Sequence, residues 1–216
     1  MATIEGVYSA TVTDNRDPEG LGRVRLRVAG LTDGTTAADA WARVATPMAG
    51  ANRGAWFLPE AGDEVLVAFE HGDPRVPYVV GALWNAKARP PATPANAQAG
   101  MRMIRSHNGV TVTIEDDAAR RALVLETPAG QRITLDDSAA IRIEDATGNR
   151  ITLTSAGIRI ESSSRVTVAA PSVEVDAGQV TVNAGMSRFS GVVQCDTLIA
   201  TSVVAQSYTP GAGNIS

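Results

Sequence analysis

The chain has 216 residues, of which 44% are hydrophobic, 19% charged and only 4% aromatic. A net charge of −4 argues against a general nucleic-acid binder, which needs clustered cations to displace counterions from phosphate. No apolar run approaches the ~18 residues of a membrane helix, the opening MATIEGVYSATVTDN lacks the basic and apolar regions of a secretory signal, and the lone Cys195 excludes an internal disulfide framework.

Short strands are predicted first. Val7 to Val12 alternates roughly, and Arg23 to Val28 alternates strictly, with Val24, Leu26 and Val28 on one face. Trp41 to Val44, Asp63 to Phe69 and Tyr78 to Trp84 follow, separated by Gly, Pro, Asn and Asp clusters such as Asp17-Pro18-Glu19-Gly20 and His71-Gly72-Asp73-Pro74. Five or six strands in about 85 residues predict an OB-like barrel. Most aromatic residues lie in this half, where large rings are expected to fill the core. Arg23, Arg25 and Arg27 share a strand face. Residues 1–90 hold nine Lys/Arg against eleven Asp/Glu, so an exposed barrel face fits better than a single-strand-binding surface.

Residues 89–108 include the run Arg89-Pro90-Pro91-Ala92-Thr93-Pro94, read as a linker, or as an ordered loop, leading into the second half. From Gly109 a small unit recurs: apolar, polar, apolar, then a polar break. The pairs are Val112/Ile114, Leu123/Leu125, Ile133/Leu135, Ile141/Ile143, Ile151/Leu153, Ile158/Ile160, Val166/Val168, Val173/Val175 and Val180/Val182. Two residues apart is roughly 200° around a helix, which would scatter each pair, and Val, Ile and Thr favour strands. The repeat predicts a β-helix over 109–190. Two inward side chains per unit are too few to enclose a core in one chain. Three chains, each forming one side of a prism and pairing each other's strand edges, would bury the stripe. A flat sheet with long open edges is the alternative.

The expected residues of that threefold axis are Val112, Ile114, Ile133, Leu135, Ile141, Ile143, Ile151, Leu153, Ile158, Ile160, Val166, Val168, Val173, Val175, Val180 and Val182. The glycines between pairs, including Gly109, Gly130, Gly148 and Gly157, are assigned to turns needing positive φ. After Val182 the spacing fails, and 191–216 is expected to close the shaft as a platform rather than a frayed tail.

Few constellations point to chemistry. Glu60, Asp63 and Glu64 share one turn rich in Gly and Pro, where turn chemistry outweighs a paired-acid site. Asp116-Asp117, Asp136-Asp137 and Glu144-Asp145 could offer oxygen to calcium, but no loop has a dense alternating-Asp motif, so solvated strand ends are expected. Ser162-Ser163-Ser164 has no histidine partner in view, and Cys195 reads as a small hydrophobe. No catalytic, cofactor or metal site is predicted.

A resemblance then becomes visible. Asn52-Arg53-Gly54-Ala55-Trp56-Phe57-Leu58-Pro59-Glu60-Ala61-Gly62-Asp63-Glu64-Val65 resembles the phage baseplate assembly protein V and VgrG spike family. So do Gly72-Asp73-Pro74-Arg75-Val76-Pro77-Tyr78 through Asn85 and Asp17-Pro18-Glu19-Gly20-Leu21-Gly22-Arg23. Together these cover most of residues 10–85. The resemblance implies an all-β protein: an OB-fold barrel over 1–88, then an intertwined, triple-stranded trimeric β-helix. It implies a non-enzymatic central spike of a contractile injection machine, assembled in the cytoplasm and acting in a virion tail or injection particle. Its implied partners are two further copies, a baseplate hub, the inner tube, a PAAR-like tip protein and, transiently, the target envelope. No nucleic acid is implied. Only the short linker stands where some members of that family carry a lysozyme domain, a separate hub protein is expected, and no His-x-His motif could close the tip with metal. A separate tip protein is therefore expected, with Tyr208 and Ile215 as contacts. Two rivals remain: a polysaccharide-degrading tailspike enzyme and an OB-fold nucleic-acid module.

Overall fold

The computed structural model describes residues 5–28, 40–92, 100–118, 120–138 and 140–207. The chain divides into two units, Met1–Val166 and Thr167–Ser216.

The first unit opens with a closed barrel. Its strands are β1 (Tyr8–Asp14), β2 (Arg23–Val28), β3 (Trp41–Val44), β6 (Glu64–Phe69) and β7 (Pro77–Leu83), in the order β1-β2-β3-β7-β6. Every pairing is antiparallel except β3 with β7. Period-two alternation sends Val24, Leu26 and Val28 inward, as the sequence pattern requires. A small hairpin, β4 (Ala49–Gly50) with β5 (Arg53–Gly54), stands between β3 and β6 and has no counterpart in the sequence reading.

The core corrects one expectation. It is made of Ala10, Val12, Val24, Leu26, Val28, Ala42, Val65, Val67 and Val79, with no aromatic residue among them. Tyr8 and Phe69 pack against it edge to face, 5.7 Å apart. Trp56, Phe57 and Trp84 are instead exposed. The interior of a five-stranded barrel is too narrow for rings, so branched aliphatics fill it.

The turn Asp17–Arg23 is clamped by one carboxylate. Asp17 accepts from the backbone N–H of Glu19, Leu21 and Arg23 and from the Arg23 guanidinium at 2.8 Å. The guanidinium and these amides hold the Asp17 carboxyl well below the usual carboxylate range. Arg23 also meets Glu19 and lies 5.9 Å from the Trp41 ring. Arg23, the first arginine of that β2 face, is thus engaged within the chain.

The rest of the first unit is a seven-stranded antiparallel meander: β8 (Met101–Arg105), β9 (Thr111–Asp116), β10 (Arg121–Glu126), β11 (Arg132–Asp136), β12 (Ala140–Glu144), β13 (Arg150–Thr154) and β14 (Gly157–Glu161). Consecutive strands of the same chain are neighbours throughout. This differs from the expected pairing by other chains over this stretch. The ladder also starts at Met101, ahead of the first apolar pair.

Three turns along one edge share a wiring. In Ser106–Val110, Thr127–Gln131 and Asp145–Asn149 the first residue donates its N–H to the fifth carbonyl, at 2.9, 3.0 and 3.1 Å. The fourth, a glycine, donates back to the first carbonyl. The first side-chain oxygen accepts from the fifth N–H. Gly109, Gly130 and Gly148 have φ of +89°, +85° and +94°. The repeating unit is therefore a hairpin of two strands and two unlike turns, rather than one strand and one turn. At Gly130 a Cβ would also sit 3.0 Å from that of Ala146 in the next turn. Gly130→Ala is expected to destabilise the chain by about 1–2 kcal/mol from the left-handed φ alone, read as a lowered urea midpoint with unchanged m-value. An unchanged midpoint would show that the stacked turns are not tightly specified.

Residues after Glu161 behave differently. No described residue from Ser162 to Ser207 joins a strand ladder within the chain, and every one from Ser163 onward is exposed.

Candidate functional site: the open apolar face of the sheet

The two faces of the meander differ in chemistry. Strand register lines up two apolar columns on one face. One column is Ile114, Leu123, Leu135, Ile141, Leu153 and Ile158. Its neighbour is Ile104, Val112, Leu125, Ile133, Ile143, Ile151 and Ile160. Most of these side chains lie open in the single chain, with Ile143 44% and Ile158 71% exposed. Full burial of one such side chain contributes roughly 1.5–3 kcal/mol, so a continuous double column is a strong driving force for association.

The opposite face is ionic. Arg120 bridges Glu115 and Asp136, Glu126 meets Arg132, and Glu161 takes both Arg150 and Arg159. Small side chains, Thr113, Ala122, Val124, Thr134 and Ala140, are buried among them. This face thus pairs its charges and covers its small side chains within one chain. The apolar face is bordered by Arg121 with Asp137 at 3.1 Å and Arg102 with Asp116 at 3.7 Å.

The expected axis residues thus fall into two groups. Those from Val112 to Ile160 share one face of one sheet, in register. Leu123, Leu125 and Ile104 belong to the same columns although the sequence assignment to the axis left them out. The sequence carried the signal for the two leucines, since Leu123/Leu125 is one of the repeating apolar pairs and its strand lies between two assigned ones. Val166, Val168, Val173, Val175, Val180 and Val182 lie in the segment without intrachain ladders, all exposed. Tyr208 and Ile215 lie outside the described residues.

The acidic groups are engaged as the turn reading expects. Asp63 and Glu60 close their own turn, Asp63 Oδ2 accepting from the Glu60 N–H at 2.8 Å. Asp145 accepts from Asn149 and Thr147, and these donors hold its carboxyl down at about 2. Ser138 and then Arg120 lower Asp136. A general acid needs a raised value, so these carboxylates are poorly placed for that role. Ser162 donates to Asn149 Oδ1 at 2.7 Å. His107 meets Glu60 at 3.2 Å. Among the described residues no group of three or more His, Cys, Asp or Glu is arranged to hold a metal, and no helix is long and apolar enough to cross a membrane.

A closed five-stranded barrel feeding a sheet with one open apolar face defines a class: an OB module joined to an assembly module. Comparison with known proteins agrees on both parts. Residues 8–84 match the type VI secretion system/phage-baseplate injector OB domain, and residues 122–186 match the phage baseplate V C-terminal trimerisation domain. The chain belongs to the baseplate V and VgrG-type spike family. It is similar to the type VI secretion system spike protein VgrG1a of Pseudomonas aeruginosa, 32% identical over 110 residues, which is 48% of this chain and 17% of that protein. VgrG1b of the same organism is 34% identical over 104 residues, 45% of this chain and 14% of that protein. The actin cross-linking toxin VgrG1 of Vibrio cholerae is 29% identical over 135 residues, 56% of this chain and 12% of the toxin. The chain therefore spans less than a fifth of the length of each of these relatives.

Proposed function

We propose that this protein is the structural central spike of a contractile injection machine, a homotrimer whose shaft is sealed along the apolar columns. The carrying observation is the double apolar column, largely exposed in one chain and lying, from Leu123 onward, in the segment matched by a trimerisation domain. Threefold closure places the Ile133, Ile143 and Ile151 rows of three chains against one another and leaves the ionic faces in water. Residues 162–207 extend the shaft, with strand partners supplied by the other chains. A hub at the barrel end, the inner tube, and a separate tip protein at residues 191–216 complete the machine, with Tyr208 and Ile215 as tip contacts. Assembly in the cytoplasm and transient contact with a target envelope follow from that role.

The polysaccharide-degrading alternative is disfavoured by acids tied into turns and ion pairs. Two measurements decide. Light scattering should give about three times the 22.4 kDa chain mass, and capsular or peptidoglycan substrate should yield no new reducing ends. A folded monomer at micromolar concentration, or turnover abolished by one carboxylate substitution, would overturn the proposal.

A further inference from the structure

The barrel carries an open apolar area of its own. Trp56, Phe57 and Leu21 are 72%, 70% and 67% exposed. They border a cleft of about 710 Å³ between the β4–β5 hairpin and the Gly20–Gly22 turn. The cleft is preformed. Ala55 N–H donates to the Met48 carbonyl at 2.9 Å, and Thr46 Oγ1 donates to the Ala55 carbonyl at 2.7 Å, which pins the hairpin. Gly22, at φ +72°, lets the Trp56 indole lie against the turn, since a Cβ there would meet the ring at 3.0 Å. An aromatic pair held this way contributes nothing to the barrel core. Exposed Trp and Phe beside Arg and Met is the composition of an interface centre.

The charges in the cleft have one sign. Arg43 and Arg53 are the charged residues lining it. Arg43 lies 5.6 Å from the Tyr78 ring, and neither arginine has a carboxylate partner among the described residues. This stands out in a chain of net charge −4. Most of the barrel's described acids are engaged elsewhere: Asp14 by Arg16, Asp17 and Glu19 by Arg23, Asp73 by Arg75, Glu60 by His107, Asp63 by the Glu60 N–H, Glu64 by Asn85 and Glu70 by Tyr78. Among the described residues, a second barrel thus offers few free carboxylates to satisfy the pair. Two arginines are also too few to attract a phosphate backbone.

We propose that this cleft docks an acidic segment of a different protein, with Trp56 and Phe57 receiving a large apolar side chain and Arg43 and Arg53 its flanking carboxylates. This goes beyond the spike reading, which names a hub at the barrel end but assigns it no cleft, residues or peptide chemistry.

The test is selection from a displayed library of random peptides about twelve residues long, panned on the full-length protein. Recovered peptides should carry Asp or Glu beside Leu, Phe or Trp. A synthetic copy should bind at least about tenfold more weakly to the Trp56→Ala and Arg53→Glu variants, and more weakly at high salt. Trp56→Phe controls for misfolding and should retain most of the affinity. Failure to recover any specific peptide, peptides without acidic residues, or equal binding to Arg53→Glu would overturn the proposal. So would a change in the mass of the assembly on Arg53→Glu, which would make a second copy the occupant.

Discussion

A protein carrying Ile143→Asp is expected to elute as a dissociated chain of 22.4 kDa while its barrel stays folded. Ile143 sits in the middle of a column, opposite Ile133 and Ile151 on the adjoining strands. At a threefold axis the substitution would bring three carboxylates together in an apolar interior. Each would face a desolvation penalty of several kcal/mol without a cation to pair with. Arg142→Asp, one residue away, points to the ionic face and should leave the trimer intact. The pair of variants separates facing from mere proximity. Equal tolerance at both positions would refute the assignment of the apolar columns to the axis, and equal loss would point to a general disruption of β12. Barrel integrity can be followed in the same samples by near-ultraviolet signals from Trp41 and Tyr8, which belong to the barrel.

Much of this fold is legible in the sequence because alternation encodes it directly. Arg23 to Val28 reads as a half-buried strand and is one. Leu123/Leu125 and Ile133/Leu135 read as strands with one apolar face, and the register makes them neighbours. Alternation does not say which chain provides the next strand. That depends on the turns, and Thr127-Pro128-Ala129-Gly130-Gln131 closes a hairpin through a side-chain oxygen and one positive-φ glycine, a pattern easily mistaken for a corner of a coil. The placement of the aromatic residues was illegible for another reason. Composition assigns Trp56 and Phe57 to a domain, but only the barrel's diameter decides that they remain outside it. The cleft beside them left no trace in the sequence, since the β4–β5 hairpin has two residues per strand and no periodic signal.

Amide hydrogen exchange is expected to divide the second half of the chain at Ser162. In β10, β11 and β12 both ladders of each strand lie within one chain, so their amides should remain slow whether or not the trimer forms. From Val166 to Val182 the backbone has no ladder partner in its own chain, and every side chain is exposed. Donors and acceptors left unpaired there must find water or another chain. In the assembled protein, strands donated by two neighbours would satisfy them and bury Val168, Val175 and Val182 on the axis. Those amides should then exchange at least about a thousandfold more slowly than in a dissociated variant such as Ile143→Asp, equivalent to roughly 4 kcal/mol of local stability. The meander amides serve as the internal reference within each sample. Fast exchange over 166–182 in an intact trimer would mean that the three chains are sealed only along the meander, and that the segment beyond it is not part of a paired shaft.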